Sequence, residues 1–352
     1  MCNSNTKLDF SSIMPVFGDS FYLSPHAINM HVSMPCPLKV PFNQFFTPYV
    51  KEYNASHATP IYCPNIMDCS SEGIEWMLRT AKSESDLPDI IVTSNYRILF
   101  SGAFYDTFMK TGRYKGLIRD DYKRKMPADL AGNLERSNLG ILCFSSWSFV
   151  QDLTVEGVPT DIESWEQIIS PDRKGEITVH GHIDKATFGL AYFIVKHWGK
   201  EGLVRFAQNI TDIKHFSNII KRMGSADPEK TALNLLPDVA ASKIPSSKKI
   251  KKLNLKEGKV LAPMVLMVKA SKIEACSEIL EKIGSRGFSD LLKNGGCIMP
   301  DALDPEITYF IPDFWEIADR YEEVEQELNK IYLGNLPMKE IEGKIKVGSL
   351  CK

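Results

Sequence analysis

The stretch from Val158 to Ile210 constrains this chain more than any other part of it. It carries Val158-Pro159-Thr160, Ser164-Trp165-Glu166, Pro171-Asp172 and Lys174-Gly175-Glu176-Ile177-Thr178-Val179. It continues through Ala186-Thr187-Phe188-Gly189-Leu190, which opens an apolar helix. This pattern predicts a short helix anchored by a tryptophan, a Pro/Gly turn, a buried strand, a ligand-sized loop and a helix N-terminus. A strand that feeds a loop and then a helix start is how α/β proteins present backbone groups to a small solute.

The N-terminal half alternates in the same way. Ala27 to Ser33 reads as a buried strand that Met34-Pro35-Cys36-Pro37 stops. From Val40 to Tyr53, Phe42, Phe45, Phe46, Tyr49, Val50 and Tyr53 fall at helical spacing. Thr59 to Cys63 is a second strand, Ser70-Ser71-Glu72-Gly73 starts a helix, and Leu87 to Asn95 holds a third strand. Strand, helix, strand, helix, strand implies a parallel sheet with right-handed crossovers. Solutes sit beyond the carboxyl ends of such strands, which nominates Ser33, Met34, Cys36, Thr93, Ser94 and Asn95. Further along, Leu139 to Phe144 and Lys259 to Lys269 read as strands, and Ala186 to Trp198, Ile273 to Ile283 and Phe314 to Tyr332 as helices.

In its word order the chain resembles the solute-binding proteins that serve ABC importers, in particular their iron- and anion-binding branch. The resemblance rests on Pro88-Asp89-Ile90-Ile91-Val92, the 158–190 block, and Ala262-Pro263-Met264-Val265-Leu266-Met267-Val268-Lys269, and it covers roughly residues 27 to 335. It implies an α/β, two-lobe, type 2 periplasmic-binding-protein-like fold. Each lobe would be a mostly parallel sheet flanked by helices, with the ligand cleft between them. The expected division is an N-terminal extension over 1–26, a discontinuous first lobe over 27–140 and 262–352, and a second lobe over 141–261. The lobes would hinge at crossings near 140–145 and 258–264. Two departures stand out: the extension is longer than the family needs, and the paired tyrosines of many iron-binding members are missing.

Composition narrows the function classes. The 352 residues carry 43% hydrophobic and 24% charged residues and a net charge of −2, ordinary for a globular chain of two lobes. Nothing in that balance marks a nucleic-acid partner. No apolar run approaches the roughly 18 residues of a membrane span. Eight cysteines without a compact framework read as reduced. Met1-Cys2-Asn3-Ser4-Asn5-Thr6-Lys7 lacks the regions of a signal peptide, so the expectation is a cytoplasmic protein. The alternative is an extracytoplasmic lipoprotein with its signal removed, Cys2 being the lipid-attachment residue.

Several residues past the first crossing join the candidates. Thr187 and Phe188 begin a helix whose first N–H groups lack intrahelical partners and favour an anion. Ser145, Ser146 and Trp147 offer hydroxyls and an indole to a small polar ligand, and the resemblance brings Asn234 and Pro237 to the same cleft. His180 and His182 flank Gly181 on one side of an extended segment, and Cys36 sits between two prolines ahead of a helix. Cys36, His180 and His182 are therefore the candidate ligands of a transition metal.

Two functions follow. In the first, a monomeric protein captures a metal ion, metal complex or small anion for an ABC permease. In the second, a cytosolic enzyme or sensor on the same fold uses Cys36 as nucleophile with His180 or His182 as base. The usual motifs of hydrolases, phosphate-binding loops and zinc proteases are absent.

Overall fold

The computed structural model describes residues 23–64, 72–181, 183–245, 247–338 and 341. The 1–26 extension up to residue 22, the Ser70-Ser71 helix start, Cys2 and His182 lie outside them. Eleven strands follow one another in the described residues: β1 (Ile28–Ser33), β2 (Ile61–Tyr62), β3 (Ile90–Thr93), β4 (Tyr114–Gly116), β5 (Ile141–Asp152), β6 (Ile177–His180), β7 (Ile210–Lys214), β8 (Leu233–Pro237), β9 (Ile250–Lys252), β10 (Lys259–Lys269) and β11 (Tyr309–Phe310). The chain divides into two compact units, one from the described parts of 1–144, 263–303 and 313–322, the other from 145–262, 304–312 and 323 onward. Both β5 and β10 run from one unit into the other.

In the first unit β1 pairs in parallel with β2 and with β3, and β10 runs antiparallel to β3 and to β4. All four residues of β3 are buried, as are five of the six in β1. That explains why both read as unbroken apolar runs, the mark of a sheet covered on both faces. One buried ion pair ties three of these strands. Lys269 Nζ lies 2.9 Å from Asp89 Oδ1 and donates to the Leu87 carbonyl at 2.7 Å, while Asp89 Oδ2 accepts the Asn29 N–H at 2.8 Å.

The first long helix spans Cys36–Ser56, four residues earlier than the Val40 start that spacing alone predicts. Pro37 sits in its first turn, where a missing N–H costs nothing, so the Met34–Pro37 segment ends a strand and also starts a helix. Cys36 is thus the first residue of the helix, a correction to its expected place ahead of one. Pro41 and Pro48 lie inside the helix and remove two donors. Its buried stripe of Leu38, Phe42, Phe46 and Tyr53 holds it in place, with Phe42 stacked on Phe46 at 5.1 Å and packed edge-on to Phe288 at 5.8 Å.

In the second unit β5 is antiparallel to β8 and β9, and β8, β6 and β7 are mutually parallel in that order. The Ser164-Trp165-Glu166 word has a plain physical basis. Ser164 accepts the Gln167 N–H at 3.3 Å, and the Gln167 side chain accepts the Ser164 N–H at 3.1 Å, closing a capping box on a one-turn helix over Trp165–Ile168. The buried Trp165 ring then packs on Phe149, Phe193 and Phe206. Gly175 takes φ +79° in the turn that launches β6, a backbone state favouring glycine.

The helix after β6 spans Phe188–Asn209, longer than the expected Ala186–Trp198, because it resumes past a kink at Gly199 (φ 67°). The segment expected as one helix from Phe314 to Tyr332 is a turn of helix over Phe314–Ile317, a 3₁₀ turn over Ala318–Arg320 and a helix over Tyr321–Asn335. The tight turn separates Phe314 and Tyr321, whose rings both stack on Phe100. Likewise Ile273–Ile283 is helical only from Ser277.

Candidate functional site

The carboxyl ends of β6, β7 and β8 share one edge of the second unit, and antiparallel β5 brings its early residues there, with Trp147 opposite Pro237. His180 closes β6 in register with Lys214 of β7. Its Nδ1 accepts the backbone N–H of Phe216 at 3.1 Å and lies 3.2 Å from the Lys214 carbonyl. Trp147 stacks near His180 with ring centroids 6.3 Å apart, and His215 and Phe216 meet it edge-on at 5.5 Å. His180 is therefore held in one orientation within an aromatic frame.

The Phe188–Asn209 helix begins beside it. Thr187 is its N-cap, yet its side chain makes no capping bond to the first turn. A shallow depression there is lined by His180, Gly181, Lys185, Thr187, Leu190 and Tyr332. The Ala186 N–H is held by Asn329 Oδ1 at 2.8 Å, which fixes the approach to the helix start. The helix start and two basic residues, Lys185 and His180, line this spot, and a helix start favours negative charge. Phe188 is buried and stacked on Tyr192, so what it brings to the edge is backbone.

The β5 candidates divide by the strand's alternation. The expected strand stopped at Phe144, but β5 continues to Asp152, so Ser145, Ser146 and Trp147 belong to it. Ser145 and Trp147 are half-buried, whereas Ser146 is 1% exposed. Ser146 and Ser148 both donate hydrogen bonds to the Asp238 carboxylate, and Lys259 Nζ is 3.6 Å from the same group. Asn234 stands inside β8, buried, its amide donating to the carbonyls of Thr231 and Val150 at 3.2 and 3.4 Å. It ties strands together, in contrast to the cleft loop expected of it. Pro237 does lie at the strand end.

In the first unit Ser33 and Thr93 end β1 and β3 in register. The Ser94 N–H donates to the Ser33 carbonyl at 3.0 Å, and the buried Thr93 hydroxyl accepts the Asn95 N–H at 2.9 Å. Met34 is buried, Cys36 is exposed, and Ser94 and Asn95 are half-buried. Asn95 Oδ1 accepts from Arg97 Nε at 3.1 Å.

Of the proposed metal set, Cys36 and His180 are described and His182 is not; among the described residues no group of three His, Cys, Asp or Glu side chains could hold an ion. Sequence reasoning missed Lys185, Arg97, His215, Asp238 and Lys259. Asp238 directly follows Pro237 and Arg97 follows the polar triplet by two residues, so strand-end position was the available signal.

Residues 85–309, more than half the chain, match the model of a family described as bacterial extracellular solute-binding proteins. No curated protein matches the chain in sequence. Among solved structures it is similar to a ferric binding protein from Campylobacter jejuni, at 11% identity and TM-score 0.60 over 86% of this chain and 99% of that one. An ABC transporter structure from Clostridium perfringens matches at 15% identity and TM-score 0.56, over 86% and 99%. The spermidine/putrescine ABC transporter substrate-binding protein of Streptococcus pneumoniae matches at 11% and 0.52, over 86% and 98%. These likenesses show the two-lobe type 2 periplasmic-binding-protein fold. The family is extracellular, which overturns the cytoplasmic expectation drawn from the first residues. No helix of the described residues is long and apolar enough to cross a membrane. By its sequence from 85 to 309 and by its fold, the chain belongs to the bacterial extracellular solute-binding protein family.

Proposed function

We propose that the protein captures a small anionic solute between its two lobes, works as a monomer without catalysing a reaction, and delivers the solute to an ABC permease. One reading carries the choice of charge: His180, which lines the depression at the helix start, donates a hydrogen bond to the solute. The uncapped helix start at Thr187 and the neighbouring Lys185 favour the same sign. The fold leaves the solute open, since its solved relatives include a ferric binding protein and a spermidine/putrescine-binding protein.

Ser145, Trp147, Thr187 and the Phe188 backbone are the proposed solute contacts in the second lobe, with Ser33, Ser94 and Asn95 in the first. Titration calorimetry of the reduced protein against small oxyanions and carboxylates, with Trp147 fluorescence as a second readout, tests the reading. An anion bound one per chain supports it. Binding confined to cations contradicts it.

The thiol-enzyme alternative keeps one observation, an exposed Cys36 at the first turn of a 21-residue helix, where the dipole favours a thiolate. Cys36→Ser separates the two. Anion affinity that survives the substitution supports capture, and a turnover that disappears with the thiol supports chemistry.

A further inference from the structure

Three sulfur atoms from three separate segments of the first unit meet in its interior. Phe144 and Ile298 form an antiparallel bridge, exchanging both backbone hydrogen bonds at 2.8 and 2.7 Å. Cys143 precedes one member of the bridge and Cys297 precedes the other, so the period of two puts both side chains on the same face. The Cys143 Sγ lies 4.0 Å from Met264 Sδ on β10, and Cys297 stands diagonally across the bridge from Cys143 on the same face. Cys143 is fully buried, Met264 is 3% exposed and Cys297 7%.

We propose that Cys143, Cys297 and Met264 form a binding site for a soft monovalent metal ion, cuprous copper in the first place. Two thiolates and a thioether are the ligand set such an ion selects. Zinc is disfavoured because a structural zinc site needs four N or S ligands. The described residues place no group of three His, Cys, Asp or Glu together to complete one. A disulfide is disfavoured by the bridge geometry. Residues placed diagonally across an antiparallel pair have Cα atoms about 7–8 Å apart, beyond the roughly 4.4–6.8 Å that a disulfide spans. A metal ion between the two sulfurs closes that gap.

The step balances without an oxidant. One Cu(I) and two Cys thiols give a bis-thiolate cuprous complex of net charge −1 and two released protons, and Met264 adds a neutral donor. Affinity therefore rises with pH. Cys143 and Met264 each lie within two residues of a point where the chain passes between units, so the ion would fasten both of those strands within the first unit.

The test is anaerobic titration of reduced, chelator-treated protein with Cu(I) in competition with bicinchoninate. X-ray absorption then reads the coordination. The expected result is one Cu(I) per chain in all-sulfur coordination, abolished by Cys143→Ala and by Cys297→Ala and unaffected by Cys36→Ser. Met264→Leu, which keeps the core volume and guards against a simple folding defect, should weaken binding by roughly 10- to 100-fold, the range for groups that support a metal site. Failure of the folded wild type to hold Cu(I) against the competitor overturns the proposal. So does Cu(I) binding that survives both cysteine substitutions or is lost with Cys36→Ser. None of these results bears on anion binding, which is measured on metal-free protein.

Discussion

The backbone N–H of Phe216 donates to Nδ1 of His180 at 3.1 Å, so the turn that follows β7 orients the ring of the residue that ends β6. Removing that ring should cost solute affinity. His180→Leu is expected to lose about 1.5–3 kcal/mol of anion binding, the usual worth of a hydrogen bond to a charged group. His180→Gln, which retains a side-chain N–H, should recover part of that loss. Calorimetry on both variants checks the prediction, and equal affinities for Leu and Gln would count against it.

The buried pair of Lys269 and Asp89 should behave as an all-or-none element. Asp89→Leu leaves a buried ammonium without its counter-charge and is expected to cost about 3–5 kcal/mol. Replacing both partners with apolar residues, Asp89→Leu with Lys269→Met, should recover most of it. Urea denaturation of the wild type and the two variants provides the comparison.

Trp165 anchors the second unit through Phe149, Phe193 and Phe206. Trp165→Ala should lower stability by about 3–5 kcal/mol. Ser164→Ala, which opens the capping box above it, should cost about 1 kcal/mol. Thermal unfolding should rank the two in that order.

Cys276 sets an alkaline limit. Burial, reinforced by Asp89 and opposed by Lys272 and Lys269, pushes its thiol from 9.0 to about 11. The unfolded chain ionises this thiol first, so its contribution is intact below pH 9 and is lost as pH rises towards 11. Between those limits the wild type should lose stability faster with pH than Cys276→Ala does. At mildly alkaline pH a thiol reagent should modify exposed Cys36 well before Cys276 or Cys143.

Much of the architecture was legible because the relevant signals are local. Buried parallel strands read as apolar runs, and the Ser164–Gln167 cap and the Gly175 turn are visible within a few residues. Lys259 to Lys269 is a strand over the span its sequence suggests. What stayed hidden depends on partners distant in sequence. The bond of the Ser146 hydroxyl to Asp238, 92 residues away, is one such contact. Asn234 reads as a loop residue unless one knows that β8 is central and that its amide bridges to Val150. The prolines flanking Cys36 read as a strand break, yet prolines at this position also suit a helix start. The first residues pointed to the cytoplasm, whereas the match over residues 85–309 places the family outside it.

The most direct test of the account is the sign of the solute. Calorimetric titration of reduced, metal-free protein against matched small anions and small cations, repeated with His180→Leu, measures it. The account predicts an anion bound one per chain, with affinity that falls in the His180→Leu variant and with added salt. A cation as the preferred solute, or an anion whose affinity is indifferent to His180, would contradict it.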